Sequence, residues 1–204
     1  MTNWKKTLGI FAAMNGVGCG VALFLQCGLG SDPTGILCDG ISRSLNIQFG
    51  HASMAYNVLL IVLALFIAKQ NIGIGTIVCG AFSGYFIDFY YRILEPLQLN
   101  RLDFLMKIQL HFVGQMFFVL ALAILIRFRL GMNALDAILY KAEAVTKIPY
   151  TVLRMSCDVF YTMIGFLLGG VFGIGTMVSA LTTGYLVKVF TKVMGSWEFG
   201  LTYN

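Results

Sequence analysis

The chain has 204 residues, 58% of them hydrophobic and 11% charged, with a mean hydropathy of +0.83 and a formal charge of +5. Soluble domains carry about 25% charged residues, so this composition excludes an ordinary soluble domain and predicts a polytopic membrane protein. The basic residues are scattered between apolar runs and form no patch with interleaved aromatics, which excludes a nucleic-acid surface and leaves membrane orientation as their meaning.

A span needs about 20 apolar residues. The first predicted one runs from Thr7 to Gln26, after Lys5-Lys6. It could pass for a signal peptide, but it lacks a convincing cleavage site and has a counterpart later in the chain, so it reads as a true span. Gly28-Leu29-Gly30-Ser31-Asp32-Pro33 follows as a glycine-rich turn, with Asp32 as an N-cap and proline at the first helical position. The helix it opens, Pro33 to Leu45, is too short to cross. Spans follow at His51 to Ala68 and at Thr76 to Leu94. The order then recurs: a span from Phe104 to Ile126, a glycine and an Asx cap in Leu130-Gly131-Met132-Asn133-Ala134, a short helix from Ala134 to Thr146, and spans at Tyr150 to Leu168 and Ile174 to Met194.

The recurrence is written in the residues. Gly73-Ile74-Gly75-Thr76, Val78, Gly84 and Tyr85 return as Gly173-Ile174-Gly175-Thr176, Val178, Gly184 and Tyr185. Upstream, Leu29-Gly30 matches Leu130-Gly131, Asp32 matches Asn133, Ile47-Gln48-Phe49 matches Ile148-Pro149-Tyr150, and Met54, Asn57 and Val58 match Met155, Asp158 and Val159. A period of about one hundred residues is far longer than that of a solenoid or propeller and predicts a duplicated membrane unit. Its copies are residues 1–101 and 102–204, within one integral membrane domain.

Under this topology Lys5, Lys6, Lys69, Arg127, Arg129, Lys141, Lys147, Arg154, Lys188 and Lys192 share the N-terminal side, against Arg43, Arg92, Arg101 and Lys107 opposite. The positive-inside rule puts both termini in the cytoplasm. Three spans per copy turn the second copy upside down. The expected fold is therefore an all-α membrane protein of six transmembrane helices in two inverted three-helix repeats, each with a short half-helix or re-entrant helix after its first span. If the short helices dip inward, their N-termini offer free amide hydrogens and about half a positive charge to a protein-lined cavity. If they lie flat, they are interfacial amphipathic helices, as Arg43, Lys141 and Glu143 would favour.

Asn57 and Asp158 hold equivalent places about seven residues into their spans, roughly 10 Å deep. Asp158 reads either as a protonation site or as the salt-bridge partner of Arg154 one turn earlier. Asn15 and Gln115, with Gln26, Gln109 and His111, would line a pore or tie helices together. Thr76, Gly80 and Gly84, like Thr176, Ala180 and Gly184, form stripes of small residues that predict a tight crossing of the third and sixth spans. Asp88 and Lys188 are expected near opposite faces as headgroup anchors, with Tyr90, Tyr91 and Arg92 marking the outer interface. Cys19, Cys27, Cys38, Cys79 and Cys157 show no metal spacing and read as packing residues, with Cys27 to Cys38 the one bridge worth testing. Neither H-E-x-x-H, G-x-S-x-G nor a Walker A lysine is present, so no enzyme, cofactor or metal is expected.

At Gly28-Leu29-Gly30-Ser31-Asp32-Pro33 and Ile72-Gly73-Ile74-Gly75-Thr76 the chain resembles the YczE/YitT-like bacterial integral membrane proteins, which implies a bacterial inner-membrane location and leaves the activity blank. The expectation is a small-solute transporter or channel for an anionic or polar solute, in the lipid bilayer, alone or as a homo-oligomer. Its site would lie between the repeats and be lined by Asp32, Thr34, Asn57, Asn133 and Asp158. The alternatives are a substrate-binding subunit of an energy-coupling-factor type transporter, against which the duplication argues, and a non-transporting structural or regulatory membrane protein.

Overall fold

The computed structural model describes residues 3–127 and 133–193, and every regular element among them is helical. Eight α-helices follow in order: α1 (Asn3–Cys27), α2 (Pro33–Leu45), α3 (Phe49–Ile67), α4 (Ile74–Leu94), α5 (Phe104–Arg127), α6 (Ala134–Thr146), α7 (Tyr150–Leu167) and α8 (Ile174–Val193). Arg129, Leu130, Gly131 and Met132, the side chains of Lys5, Lys6, Arg127, Gly184 and Lys188, and the residues beyond Val193 lie outside what is described.

Among the described residues three helices carry stretches long and apolar enough to cross a membrane, at Thr7–Cys27, Phe49–Ile67 and Phe104–Leu125, which makes this a membrane protein. Large apolar side chains also face outward on the other long helices, among them Ile74 and Phe82 on α4, Phe166 and Leu167 on α7, and Leu181 on α8. Exposed apolar surface on this scale suits lipid and not water.

The short helices are bounded by local chemistry. Pro33 starts α2 without costing a hydrogen bond, and Asn46 ends it in the left-handed region at φ 53°. The Asn133 side chain accepts from the Leu135 N–H to cap α6, which ends at Lys147, φ 62°. Asp32 occupies the N-cap position of α2, yet its side chain makes no capping hydrogen bond, contrary to expectation. The repeated Gly-Ile-Gly-Thr phrase proves to be a capping device in both copies: the Gly73 N–H donates to Thr76 Oγ1 at 3.3 Å, and the Gly173 N–H to Thr176 Oγ1 at 3.4 Å.

The packing is largely symmetric under the helix exchange that the recurrence in the sequence predicts. Exchanging α1 with α5, α2 with α6, α3 with α7 and α4 with α8 maps the α1·α5 pair onto itself, α1·α4 onto α5·α8, α2·α7 onto α3·α6, and α2·α3 onto α6·α7. The α3·α4 pair is the exception, since α7 and α8 make no comparable contact. At the central α1·α5 crossing the backbones touch: a Cβ on Gly20 would meet the Gly114 carbonyl oxygen at 2.7 Å. Polar side chains tie the flanks. The Tyr90 hydroxyl donates to Asn15 Oδ1 at 2.8 Å between α4 and α1, and Gln115 Nε2 donates to Thr183 Oγ1 at 2.7 Å between α5 and α8. Ser179 and His111 extend the second tie, the Ser179 hydroxyl donating to Gln115 Oε1 at 3.0 Å and lying 3.3 Å from His111 Nε2.

The expected crossing of the third and sixth spans is not found among the described residues, where α4 and α8 are not a packed pair. The α4 stripe serves α3 instead: Gly84 lies against the Gly50 carbonyl and Met54, and Gly80 against Ile61 and Asn57. Small residues announce a close neighbour without specifying which one. Asp88 is likewise corrected from headgroup anchor to helix cap, because its Oδ1 accepts the Gly50 N–H at 2.8 Å at the start of α3. All five cysteines are free thiols, so Cys27 and Cys38 do not pair.

Candidate functional site

The first half of α2 is enclosed rather than amphipathic, with Gly35, Ile36, Leu37, Cys38, Asp39 and Gly40 buried in succession while its last turn is exposed. Two glycines permit this. A Cβ on Gly165 of α7 would strike the backbone of Ile36 and Leu37 at 2.5–2.6 Å, and one on Gly40 would strike the Gly165 carbonyl. Buried Asp39 completes the fit, accepting Arg43 Nε on Oδ1 at 2.9 Å and the Val171 N–H on Oδ2 at 2.9 Å. The Ser44 hydroxyl donates to the Leu168 carbonyl at 3.0 Å, so α2 runs alongside the second half of α7.

The second short helix faces the same spans with different chemistry. Ala134, Leu135 and Leu139 of α6 pack with Leu60, Ile61 and Ala64 of α3 in one buried aliphatic cluster. Its polar edge turns to α7, where Asp136 Oδ1 accepts Arg154 Nη1 at 2.6 Å and the Tyr150 hydroxyl at 2.9 Å. The Tyr150 N–H in turn donates to Glu143 Oε1 at 2.9 Å, and the Tyr150 ring stacks on Tyr140 with centroids 4.4 Å apart.

Arg154 is the hub of this region. Its Nε lies 3.3 Å from Asp158, one turn on, so the salt bridge read in the sequence exists, with Asp136 added as the closer partner. Arg154 Nε donates to Asp158 Oδ2 at 3.3 Å, while Asp158 Oδ1, at the same distance from that nitrogen, is buried without a hydrogen bond of its own. Asp32 comes from the other copy, yet Arg154 and Asp158 are both close enough to act on its charge. Its carboxylate hangs over Gly35, where a Cβ would sit 2.8 Å from Oδ1. Burial pushes the Asp32 carboxyl above the ordinary carboxylate range, against the opposing pull of Arg154.

Beside this charged group lies a wall of hydroxyls. Tyr56 on α3 and Tyr161 on α7 meet edge to face with centroids 5.8 Å apart, and Thr34 and Cys38 of α2 lie within electrostatic reach of the Tyr56 hydroxyl, which is buried without a hydrogen bond. Of the five residues read from the sequence, Asp32, Thr34 and Asp158 thus belong to one region. Asn57 turns away, donating to the carbonyl of Ser53 on its own helix at 2.9 Å and facing Gly80, and Asn133 is an exposed cap. The sequence reading missed Asp136, Tyr56, Tyr150 and Tyr161. Asp136 had a visible signal, a carboxylate in the first turn of a short helix with an arginine beyond it. The tyrosines had none, being ordinary span residues until the helices pack. Among the described residues no three histidine, cysteine or carboxylate side chains gather closely enough to hold a metal.

Residues 4–192 match a family described as one of unknown function, DUF6198. An uncharacterized protein of Haemophilus influenzae is 27% identical over 194 residues, covering 93% of this chain and 85% of that protein. The uncharacterized protein YyaS of Bacillus subtilis is 23% identical over 177 residues, covering 86% of this chain and 87% of its own length. No solved structure matches the chain.

Proposed function

The chain belongs to the DUF6198 family, and from that premise we propose that it is a small-solute transporter or channel of a bacterial inner membrane. In this reading all six long helices cross the bilayer as two inverted repeats with cytoplasmic termini, and α2 and α6 are re-entrant. The self-mapping helix pairs support the repeat, the outward apolar side chains on α4, α7 and α8 support the added spans, and the resemblance to YczE/YitT-like proteins agrees with the location. The enclosed first half of α2 supports re-entry over a flat interfacial helix.

One observation carries the reading. Asp32 follows a span that ends outside, and Arg154 opens a span that begins inside, yet α2 packs on α7 and the Arg154 charge reaches Asp32. For that to hold across a bilayer, protein must fold toward the midplane between the copies, as transporter sites do. The site's composition also turns the solute class away from the anion first expected. Asp136 and Asp158 both pair with Arg154, and Asp32 lies within reach of its charge. An acid-rich site of this kind suits a proton, a small cation or a polar solute moved with a proton.

The test is reconstitution of the purified chain in liposomes with an entrapped pH dye, under an imposed membrane potential. The wild type carries a proton flux that rises with the potential, and Asp158→Asn lowers it about tenfold. Flux equal to that of protein-free liposomes, or flux unchanged by Asp158→Asn, overturns the proposal.

A further inference from the structure

A concave surface lies away from the Arg154 region, a shallow depression of about 440 Å³ between the start of α3 and the last turns of α4. Its chemistry is graded along the helices. Gln48 just before α3, His51 of α3 and Arg92 of α4 stand where the start of α3 meets the end of α4, and Phe89 and Tyr85 line the wall one and two turns farther back along α4. Tyr85 is 55% and Phe89 57% exposed, so this wall faces outward. The two charges in the depression differ in availability. Asp88 is committed to the Gly50 N–H at the start of α3, whereas Arg92 has no ion-pair partner among the described residues.

We infer that this depression is a binding site for an anionic phospholipid. The phosphate meets the Arg92 guanidinium, with Gln48 and His51 as further hydrogen-bond donors, and one acyl chain lies along Phe89 and Tyr85 toward the bilayer centre. Charge complementarity selects the occupant: Asp88 is spent on the start of α3, so the uncommitted charge is the Arg92 guanidinium, and with an aromatic wall beside it this matches an anionic amphiphile, whereas a free anion would leave the wall unused. The inference rests on α3 and α4 both being spans, as in the reading above, and on no transport activity.

Native mass spectrometry of the purified full chain in detergent, titrated with phosphatidylglycerol or phosphatidylcholine, tests it. The wild type retains phosphatidylglycerol about fivefold better, the preference one arginine near a membrane surface supplies. Arg92→Gln brings the two lipids to parity, Phe89→Ala weakens both, and Arg101→Gln, an exposed basic residue outside the depression, leaves the preference intact. Equal retention by the wild type, a preference that survives Arg92→Gln, an equal loss in Arg101→Gln, or displacement of the lipid by inorganic phosphate alone would each overturn it. Lipid retention in detergent needs no solute movement, so a chain that fails the liposome assay can still pass this one.

Discussion

The two short helices occupy equivalent positions and are held by opposite means. The backbone of α2 rests directly on α7 through Gly40 and Gly165 and is fastened by the hydrogen bond Asp39 accepts from the Val171 N–H and the one Ser44 donates to the Leu168 carbonyl. In its place α6 is cushioned on α3 by aliphatic side chains, with Ala64 standing at the position equivalent to Gly165, and its strong polar contact is a salt bridge to Arg154. The matched helix pairs agree in which surfaces meet and differ in the means of meeting. Backbone contact fixes a helix at one distance, because a carbonyl cannot yield, whereas aliphatic contact tolerates small shifts at graded cost.

That contrast can be broken by substitution, with thermal unfolding in detergent followed by circular dichroism as the common measurement. Gly165→Val has the largest expected effect, a loss of about 4 kcal/mol, because the new side chain meets backbone on α2. Tolerance of valine there would remove the rigid half of the comparison. Leu135→Ala in the α6 cluster leaves a cavity and should cost about 3 kcal/mol; a cost under about 1 kcal/mol would mean that α6 is not held by packing. Arg154→Gln strands Asp136 and Asp158 in a half-buried site and should cost about 2 kcal/mol, with most of it recovered in the Arg154→Gln, Asp136→Asn double variant. Strict additivity of the two changes would dissolve the proposed hub.

The smallest effect sharpens the comparison through pH. Burial raises the folded pKa of Asp32 above its unfolded value, so the folded state holds the proton more tightly. Stability from that proton is full at low pH and is lost as pH rises through the folded pKa. Asp32→Asn should therefore raise the unfolding temperature by about 3 °C at pH 8 and leave it unchanged where the wild type is already protonated. A destabilising effect at pH 8 would mean that the Arg154 attraction outweighs burial.

The elements were more legible than their partners. Pro33 to Leu45 and Ala134 to Thr146 were readable to the residue, because a proline, an Asx cap and a following polar turn are local signals that no tertiary contact needs to supply. The destination of the Thr76, Gly80 and Gly84 stripe was not, since the stripe encodes closeness and the short link from α3 decides the neighbour. Asp88 misled for a related reason: its nearness to Tyr90, Tyr91 and Arg92 in sequence suggested lipid headgroups, while its actual partner, the Gly50 N–H, lies 38 residues away. The charged site was legible by half. Asp158 with Arg154 is an i,i+4 pair visible in any sequence, but the arrival of Asp32 and Asp136 depends on two short helices converging.

The fastening of α2 has a mechanical consequence. Its leading turn is joined to the start of α8 where the Gly175 N–H donates to the Leu29 carbonyl, its middle to the α7–α8 corner through Asp39 and Val171, and its tail to the end of α7 through Ser44 and Leu168. Three fixing points, one in the turn before the helix and two within its 13 residues, leave no hinge. The helix is a keel bolted to the opposite copy, and any swing of the α7–α8 corner would carry Asp32 with it as cargo on a lever.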